Sequence, residues 1–131
     1  MKTTRTGRIL VADDDPASAA LYAAWLRLDQ HDVRIAVSGA EALTIADELE
    51  PDVAVLDIVM PPPDGFALCE IFRRSPRLAH TRIVLITGLQ HPANFHRARE
   101  VGAADVLIKP CREEALRECV RAVLATRALG A

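Results

Sequence analysis

Short apolar runs alternate with longer amphipathic segments along the chain. The runs have the length of β-strands, and the segments between them repeat apolar residues at helical spacing. The predicted strands cover residues 8–12, 33–37, 53–56, 82–86 and 106–108. Helices are predicted at about 16–28, 39–49 and 66–74, from Pro92 to before Gly102, and over a last segment whose inward residues lie within 116–124.

Each predicted helix has an apolar stripe, and polar residues mark several helix starts. The predicted inward residues of the first helix are Ala17, Ala20, Leu21, Ala24, Trp25 and Leu28, and those of the second are Ala42, Leu43 and Ala46. In the third helix they are Leu68, Ile71 and Phe72, and in the last Leu116, Cys119, Val120, Val123 and Leu124. Asp15 is expected to cap the first helix with Pro16 at its first position, and Asp64-Gly65 to form the turn and cap of the third.

Strand-helix alternation predicts a parallel sheet with right-handed crossovers and helices on both faces. Four strands are almost entirely apolar, as central strands covered on both faces should be. The second strand carries Arg34 in its middle and ends without an ionisable group, so we expect it at an edge. The predicted fold is therefore α/β, a flavodoxin-like doubly wound five-stranded sheet of order 2-1-3-4-5 with five helices.

Length and composition narrow the class of protein. The 131 residues suffice for one domain, with a core expected at about residues 8–125. Half of the residues are hydrophobic and the net charge is −2, so binding to nucleic acid or to a membrane surface is not expected. No apolar stretch reaches the roughly 20 residues of a membrane span, and we expect a cytoplasmic protein. The three cysteines are expected to be free thiols, and the four histidines to be solvated.

Polar side chains stand where four of the predicted strands end. Asp13 and Asp14 follow the first strand, Asp57 the third, Thr87 the fourth and Lys109 the fifth. Parallel strands deliver all five groups to one edge of the sheet, where open α/β sheets bind their ligands. Three crowded carboxylates repel one another, and a hard divalent cation such as Mg²⁺ relieves that repulsion. The pattern predicts a phosphoryl-accepting, Mg²⁺-binding site.

The order and spacing of these residues resemble the receiver domains of bacterial two-component response regulators, the chemotaxis regulators among them. The matching motifs are Ile9-Leu10-Val11-Ala12-Asp13-Asp14, Asp57 followed by Met60-Pro61, Asp64-Gly65, Thr87-Gly88 and Lys109-Pro110. Each motif is weak alone, but together they are specific and span nearly the whole chain. The resemblance implies a single receiver domain over residues 1–131 in which Asp57 accepts a phosphoryl group and switches the binding of a partner.

The resemblance also implies the donor and the metal. The phosphoryl group would come from a phosphohistidine of a histidine kinase or a phosphotransfer protein, whereas the downstream partner cannot be named from the sequence. Asp14, Asp57 and the backbone carbonyl of Val59 would ligate Mg²⁺ directly, and Asp13 would hold a water on the metal. A chain of this kind catalyses only its own phosphorylation and dephosphorylation and is not a turnover enzyme.

The remaining site residues have roles by the same resemblance. Thr87 would donate its hydroxyl to a phosphoryl oxygen, and Gly88 would leave room for the donor. Lys109 would stabilise the transferred charge and sense the new dianion, with a cis peptide bond to Pro110. Monomer and homodimer both stay open, although Ala115 and Cys119 do not support the charged dimer interface of one DNA-binding subfamily.

Three apolar residues depart from the pattern of the family. Many receivers carry an aromatic side chain at the position of Val106, where it swings inward as the threonine moves, and valine cannot make that swing. Either the switch works through Thr87 and the loops, or the output surface lies elsewhere. Val59 and Leu89 follow Asp57 and Thr87 by two residues, and neither can orient an attacking water, so we expect a long-lived phosphoryl group.

Other functions are weaker interpretations of the same residues. A metal-dependent phosphohydrolase with an Asp nucleophile would need a second acid where Val59 stands, and a flavodoxin-like cofactor binder would need a Gly-rich or Ser/Thr-rich loop after the first strand. A degenerate receiver that acts only as a phosphorylation-independent interaction module is the main alternative. The fourth helix and its approach carry His91, His96, Arg97 and Arg99, which form either a solvated face or a docking surface for an acidic partner or a second copy.

Overall fold

Strands and helices alternate strictly along the chain in a computed structural model that describes residues 6–89 and 91–130. The strands are β1 (Arg8–Ala12), β2 (Asp32–Ala36), β3 (Val53–Asp57), β4 (Arg82–Thr87) and β5 (Asp105–Ile108). The helices are α1 (Pro16–Arg27), α2 (Gly39–Leu49), α3 (Gly65–Arg74), α4 (Pro92–Glu100) and α5 (Glu113–Gly130). Every predicted element is present, and the predicted bounds agree with the observed ones to within about one residue.

The five strands form one parallel sheet of order β2-β1-β3-β4-β5, which confirms the predicted topology. β2 lies at one edge, and its Arg34 side chain is 44% exposed and reaches Glu48 of α2 at 3.5 Å. β1 pairs with both β2 and β3, so the strand order reverses beside β1, as it does where such folds bind ligands. Among the described residues, no helix has the length and hydropathy needed to cross a membrane.

Alternate strand residues point to opposite faces of the sheet and build two aliphatic cores. Leu10, Leu56 and Leu85 lie in the core under α2, α3 and α4, together with Phe72. The other core is built under α1 and α5, and it includes Ile9, Val11, Val53, Val55, Val84 and Ile86. The inward residues predicted for α5 are all buried in this second core.

The predicted inward face of α1 is wrong. The helix buries Ala19, Tyr22, Ala23 and Leu26, whereas Leu21 and Leu28 of the predicted stripe are 48% and 57% exposed. Trp25 alone of that stripe packs, half-buried, against the core. Because α1 carries apolar residues on nearly every side, two stripes fit helical spacing equally well, and packing against the sheet selects the one with Tyr22.

Smaller corrections concern three single positions. β2 begins at Asp32 and ends at Ala36, so Val37 lies outside the strand and is 39% exposed. Ile71 of α3 is likewise 39% exposed instead of inward. His31, predicted to be solvated, is only 5% exposed; it lies directly before β2 and accepts a hydrogen bond from the Gly7 N–H.

Helix starts and peptide geometry follow the sequence more closely. The Asp64 carboxylate caps α3 by accepting a hydrogen bond from the Ala67 N–H at 2.9 Å, as predicted. Asp15 occupies the N-cap of α1 with Pro16 after it, but its carboxylate accepts from the Ser18 hydroxyl and makes no cap bond to the backbone. The Lys109–Pro110 peptide is cis, as predicted, and the Pro62–Pro63 peptide, which the sequence did not single out, is also cis.

Candidate functional site at the carboxyl edge of the sheet

The predicted site residues all lie at the carboxyl edge of the sheet. Asp57 is the last residue of β3, and Thr87 is the last residue of β4. Asp13 and Asp14 directly follow β1, and Lys109 directly follows β5. In the register of the sheet, Asp57 lies opposite Ile86 and Thr87 opposite Ile108, so the strand ends are level with one another. The edge therefore collects residues that are far apart in the sequence.

Three carboxylates converge at this edge. One oxygen from each of Asp13, Asp14 and Asp57 lies within 4.8 Å of the other two. Asp13 is 1% exposed and Asp57 is 6% exposed, whereas Asp14 faces solvent. The cluster is thus a shallow cup with two buried acids below and one exposed acid at the rim.

Lys109 provides the positive charge of the cluster. Its Nζ donates to Asp13 Oδ2 at 2.8 Å and to Asp57 Oδ2 at 3.1 Å. Burial alone would lower the pKa of this ammonium, but the hydrogen bonds to Asp13 and Asp57 outweigh burial and raise it. Lys109 therefore stays charged and holds the two buried acids together.

Asp57 has the opposite balance of forces. Burial raises the pKa of its carboxyl, the nearby Asp13 charge raises it further, and Lys109 only partly compensates. The net pKa lies above its ordinary value, so the folded protein disfavours the ionised form of this side chain. A cation bound beside Asp57 would favour its ionised form.

Backbone groups fix the orientation of the buried acids. The Asp15 N–H donates to Asp13 Oδ1 at 2.9 Å, and the Val59 N–H donates to Asp57 Oδ1 at 3.2 Å. Gly65 at the start of α3 packs closely on the end of β3, since a Cβ there would lie 2.7 Å from the Asp57 carbonyl oxygen. The glycine of the Asp64-Gly65 turn thus lets α3 begin directly against the strand that carries Asp57.

Thr87 is completely buried, and its side chain makes no hydrogen bond to the acidic cluster among the described residues. Its Oγ1 accepts from the Leu89 N–H at 3.0 Å, which leaves the hydroxyl hydrogen available for another acceptor. Its neighbour Gly88 is exposed, and a Cβ added there would first meet Lys109 Cβ at 3.9 Å. Space therefore exists between the ends of β4 and β5 for a group approaching Asp57.

Exposed apolar side chains form the rim of the cup. Val59 and Leu89 are 54% and 53% exposed, on the loops after β3 and β4. Val106, at the position where many receivers have an aromatic residue, is half-buried and packs against the core under α2, α3 and α4. Neither Val59 nor Leu89 therefore has a polar side-chain atom that could hold a water over Asp57.

The donor set fits a hard divalent cation such as Mg²⁺. All three converging side chains are carboxylates, the ligand type that Mg²⁺ prefers, and Asp14 at the rim makes no hydrogen bond among the described residues. The open side of the cup also suits an ion that keeps several of its waters. Lys109 shows that the buried pair Asp13 and Asp57 already attracts one cation.

Tyr22 of α1 is a neighbour of the cluster that the sequence did not indicate. It is 6% exposed, and burial raises the pKa of its hydroxyl to about 12, with Cys111, Asp13 and Asp57 adding to the shift. The prediction missed it because Tyr22 lay off the stripe assigned to the inside of α1. A comparison of the two apolar stripes of α1, asking which one brings a polar group near the strand ends, could have found it.

Comparisons with known proteins agree with this geometry. The sequence profile described as the response regulator receiver domain matches residues 9–121. The DNA-binding dual master transcriptional regulator RpaA of Synechocystis sp. is 37% identical over 117 residues, which are 89% of this chain and 48% of that protein. PilH of Pseudomonas aeruginosa is 31% identical over 118 residues, which are 90% of this chain and 98% of PilH.

Solved structures show the same fold. A chemotaxis protein, CheY4 of Vibrio cholerae, has a TM-score of 0.85 at 27% identity, covering 91% of this chain and 99% of that one. A CheY-like receiver domain protein of Methanospirillum hungatei has a TM-score of 0.89 at 24% identity, which speaks for the fold alone, and covers 97% of this chain and 100% of its own.

The matched relatives differ in length. The chain spans 48% of the Synechocystis regulator and 26% of the response regulator PleD of Caulobacter vibrioides, so the output activities of those proteins do not carry over. The receiver-domain profile matches this chain from β1 into α5. The chain therefore belongs to the response regulator receiver domain family.

Proposed function

We propose that this receiver domain is switched by phosphorylation of Asp57, with the phosphohistidine of a histidine kinase or a phosphotransfer protein as donor. The observation that carries the proposal is the Lys109 ammonium, bridged between Asp13 and Asp57 at 2.8 and 3.1 Å. It places a fixed positive charge beside an acid whose ionised form is disfavoured. The same ammonium can stabilise the negative charge of the phosphoryl group once that group is on Asp57.

The transfer step needs positioning and charge stabilisation more than acid-base chemistry. An Asp57 carboxylate oxygen attacks the phosphorus, the phosphorus–nitrogen bond to the donor imidazole breaks, and its electron pair returns to the imidazole nitrogen. The product is an acyl phosphate on Asp57. Lys109 can follow the charge from the carboxylate to the phosphoryl oxygens, and Thr87 can donate its free hydroxyl hydrogen to another of them.

Mg²⁺ is the cofactor that fits the site. Asp14, Asp57 and the Val59 carbonyl would hold it directly, and Asp13 would hold one of its waters. When bound, the ion supplies positive charge that offsets the incoming phosphoryl oxygens. Asp14 is the acid best placed to recruit it, because this carboxylate is exposed while Asp13 and Asp57 are paired with Lys109.

The switch itself would run through Thr87 and its loop. A move of the Thr87 hydroxyl towards a phosphoryl group breaks its hydrogen bond with the Leu89 N–H and shifts the approach to α4. Val106 is too small to report this motion on the surface as an aromatic side chain would. A partner must then distinguish the two positions of the loop and α4, since ligands shift populations only by differential binding.

Two other functions compete with this proposal. A degenerate receiver that binds partners without phosphorylation would not need Asp57, Thr87 and Lys109 together at one edge. A phosphohydrolase with an Asp nucleophile would need a general acid beside the nucleophile, and the exposed Val59 stands there instead. Both alternatives predict no stable phosphoryl group on Asp57, so one measurement separates them from the switch.

The test is the intact mass of the chain after incubation with acetyl phosphate, with and without Mg²⁺. We expect the native chain to gain one phosphoryl group only when Mg²⁺ is present, and Asp57→Asn to gain none. Asp47→Asn is the matched control, because this acid is 67% exposed on α2 and remote from the cluster. The control should be phosphorylated like the native chain.

A negative result is equally informative. No added mass on the native chain with acetyl phosphate, followed by none with a phosphorylated histidine phosphotransfer protein, would refute the switch and favour the degenerate receiver. An added mass that survives Asp57→Asn would place the acceptor elsewhere and contradict the assignment of Asp57.

A further inference from the structure

We propose that the groove between α3 and α4 is a docking surface for an acidic segment of a partner protein. The α3–α4 groove is lined by Glu70, Arg73, Arg74, Arg97, Glu100 and Val101. It lies on the side of α3 away from α2 and is separate from the acidic cluster. Its arginines belong to neither the phosphorylation chemistry nor the two hydrophobic cores.

The groove has the size and charge of a recognition site. Its volume is about 430 Å³, within the roughly 300–1,000 Å³ typical of ligand clefts. Three guanidinium groups face two carboxylates along it. The lining residues therefore carry a net charge of about +1, although the whole chain carries −2. An acidic occupant complements this local excess.

Two of the arginines are held in place across the groove. Arg97 of α4 lies over the Phe66 ring, 5.5 Å from its centroid, and donates to Glu70 Oε1 at 2.9 Å. Arg73 of α3 donates to the Glu100 carbonyl at 3.1 Å. Their guanidinium planes are thus ordered before binding, which reduces the entropy lost when they bind carboxylates.

The existing ion pairs in the groove are weak enough to be exchanged. The Arg97–Glu70 pair is half exposed, with side chains 51% and 40% accessible, and such pairs contribute at most about 1 kcal/mol. Arg74 makes no ion pair or side-chain hydrogen bond among the described residues. Each guanidinium has five N–H donors, and most of those on Arg73 and Arg74 have no protein acceptor. A partner carboxylate can therefore bind here without breaking a stable contact.

The groove is also placed to sense phosphorylation, an extension that depends on the proposed function. α3 follows the loop after Asp57, and α4 follows the loop after Thr87. α4 buries only Ala98, so few apolar contacts hold this helix against the rest of the fold. A shift of the Thr87 loop would then change the spacing of Arg73 and Arg97 and with it the affinity for an acidic segment. This gives the chain an output surface that does not require an aromatic residue at Val106.

The experiment measures binding of a fluorescein-labelled peptide of alternating Glu and Leu by fluorescence anisotropy at low salt. The native chain is compared with the double variant Arg73→Ala, Arg74→Ala. The matched control is Arg34→Ala, Arg112→Ala, which removes the same charge from exposed sites on β2 and before α5. Thermal unfolding of each variant checks that it folds, and Arg97→Lys is the conservative variant that keeps the charge but loses the planar fork.

We expect the groove variant to bind the peptide at least roughly ten-fold more weakly, which is about 1.4 kcal/mol, while the control changes less than about two-fold. Arg97→Lys should weaken binding by an intermediate factor. Equal weakening in both double variants would show general attraction to positive charge and overturn the proposal. So would the absence of saturable binding to the native chain.

The extension has its own outcome. The same titration is repeated on chain shown by intact mass to carry a phosphoryl group, with Asp57→Asn treated identically. A changed affinity in the phosphorylated chain alone supports a phosphorylation-controlled groove, and an unchanged affinity overturns that control. Failure of Asp57 to take up a phosphoryl group would refute the proposed function instead, and the unphosphorylated titration would still decide the docking surface.

Discussion

The two edges of the sheet use polar side chains in opposite ways. At the carboxyl edge, Asp13 and Asp57 bond to the Lys109 ammonium and compete for it, and the pKa of Asp57 is raised as a result of burial and of its neighbour's charge. At the amino edge, Asp52 accepts from the Arg8 N–H at 2.9 Å, so an acid there completes a backbone hydrogen bond. The carboxyl edge therefore gathers charged side chains beside one another, whereas at the amino edge a charged side chain satisfies a backbone N–H.

Other groups at the amino edge follow the same rule. The Arg8 guanidinium donates to the Leu49 carbonyl at 3.2 Å, and the Thr81 hydroxyl donates to the Pro51 carbonyl at 2.6 Å. These contacts tie the starts of β1 and β4 to the connection between α2 and β3. The carboxyl edge is where open α/β sheets bind their ligands, whereas these polar side chains at the amino edge make contacts within the fold.

The largest expected effect comes from removing the positive charge of the carboxyl edge. Lys109→Met should slow phosphorylation by acetyl phosphate at least about 100-fold, because a positioned charge that stabilises the transferring group is typically worth 10² to 10³ in rate. The control is Arg82→Met, which removes a charge from the start of β4 at the amino edge. Time-resolved intact mass gives both rates, and equal slowing in the two variants would contradict the division between the edges.

The apolar rim of the carboxyl edge is expected to set the lifetime of the phosphoryl group. Val59→Asn introduces an amide that can orient a water over Asp57, and hydrolysis should become roughly ten-fold faster. Val37→Asn is the control, since Val37 is also exposed at this edge but belongs to the β2–α2 loop. Loss of the added mass after removal of acetyl phosphate measures the rate. Rapid hydrolysis in the native chain would refute the expected long lifetime.

Charge removal at the two edges should change stability in opposite directions. Asp57→Asn, measured without Mg²⁺, should raise the free energy of unfolding by about 1 kcal/mol, because the amide avoids burying a disfavoured charge and can still accept from Lys109. Asp52→Asn should lower it by about 0.5 kcal/mol, because the hydrogen bond from the Arg8 N–H loses its charge-assisted strength. Urea unfolding measures both. Two changes of the same sign would remove the contrast between the edges.

The sequence was sufficient for the topology and for the grouping of the strand-end side chains, because both depend on where the strands end. Four continuous apolar strands and one with Arg34 specify which strand lies at the edge, and the parallel order then brings Asp13 beside Asp57. The structure adds the distances from Lys109 to both acids, but it adds no residue to the predicted set of strand-end side chains. At these positions the local sequence pattern and the global fold agree, so the pattern is enough to predict the fold.

The failures occur where side-chain pattern does not decide between two arrangements. α1 is apolar on several sides, so only its packing on the sheet shows that Tyr22 and Leu26 point inward and Leu21 outward. The pairings that line the α3–α4 groove, such as Arg73 with the Glu100 carbonyl, join residues 27 positions apart and have no sequence signal. The sequence places His31 in a loop, where a polar residue is expected to face solvent. Tertiary contacts bury it instead.

His31 is the amino-edge group whose charge the fold excludes. Its Nδ1 accepts from the Gly7 N–H at 3.1 Å, which requires the neutral ring with hydrogen on Nε2, and that buried nitrogen has no partner among the described residues. Burial lowers the pKa of this ring, although Asp29 at the end of α1 partly opposes the shift and Arg121 of α5 adds to it. Protonation would turn Nδ1 into a donor facing the Gly7 N–H and break the contact.

The smallest expected effect is therefore a pH dependence that distinguishes the edges by its sign. Because the folded pKa of His31 lies below its ordinary value of 6.5, its contribution to stability is complete above that pH and is lost as the pH falls through the folded pKa. The raised pKa of Asp57 acts oppositely, since acid relieves its buried charge.

His31→Asn keeps an acceptor for the Gly7 N–H but cannot titrate. The native chain should lose less than about 1 kcal/mol relative to this variant between pH 7.5 and pH 5, measured by urea unfolding. Parallel pH curves for the two chains would mean that His31 does not titrate in this range, and the amino edge would then contribute nothing to acid sensitivity.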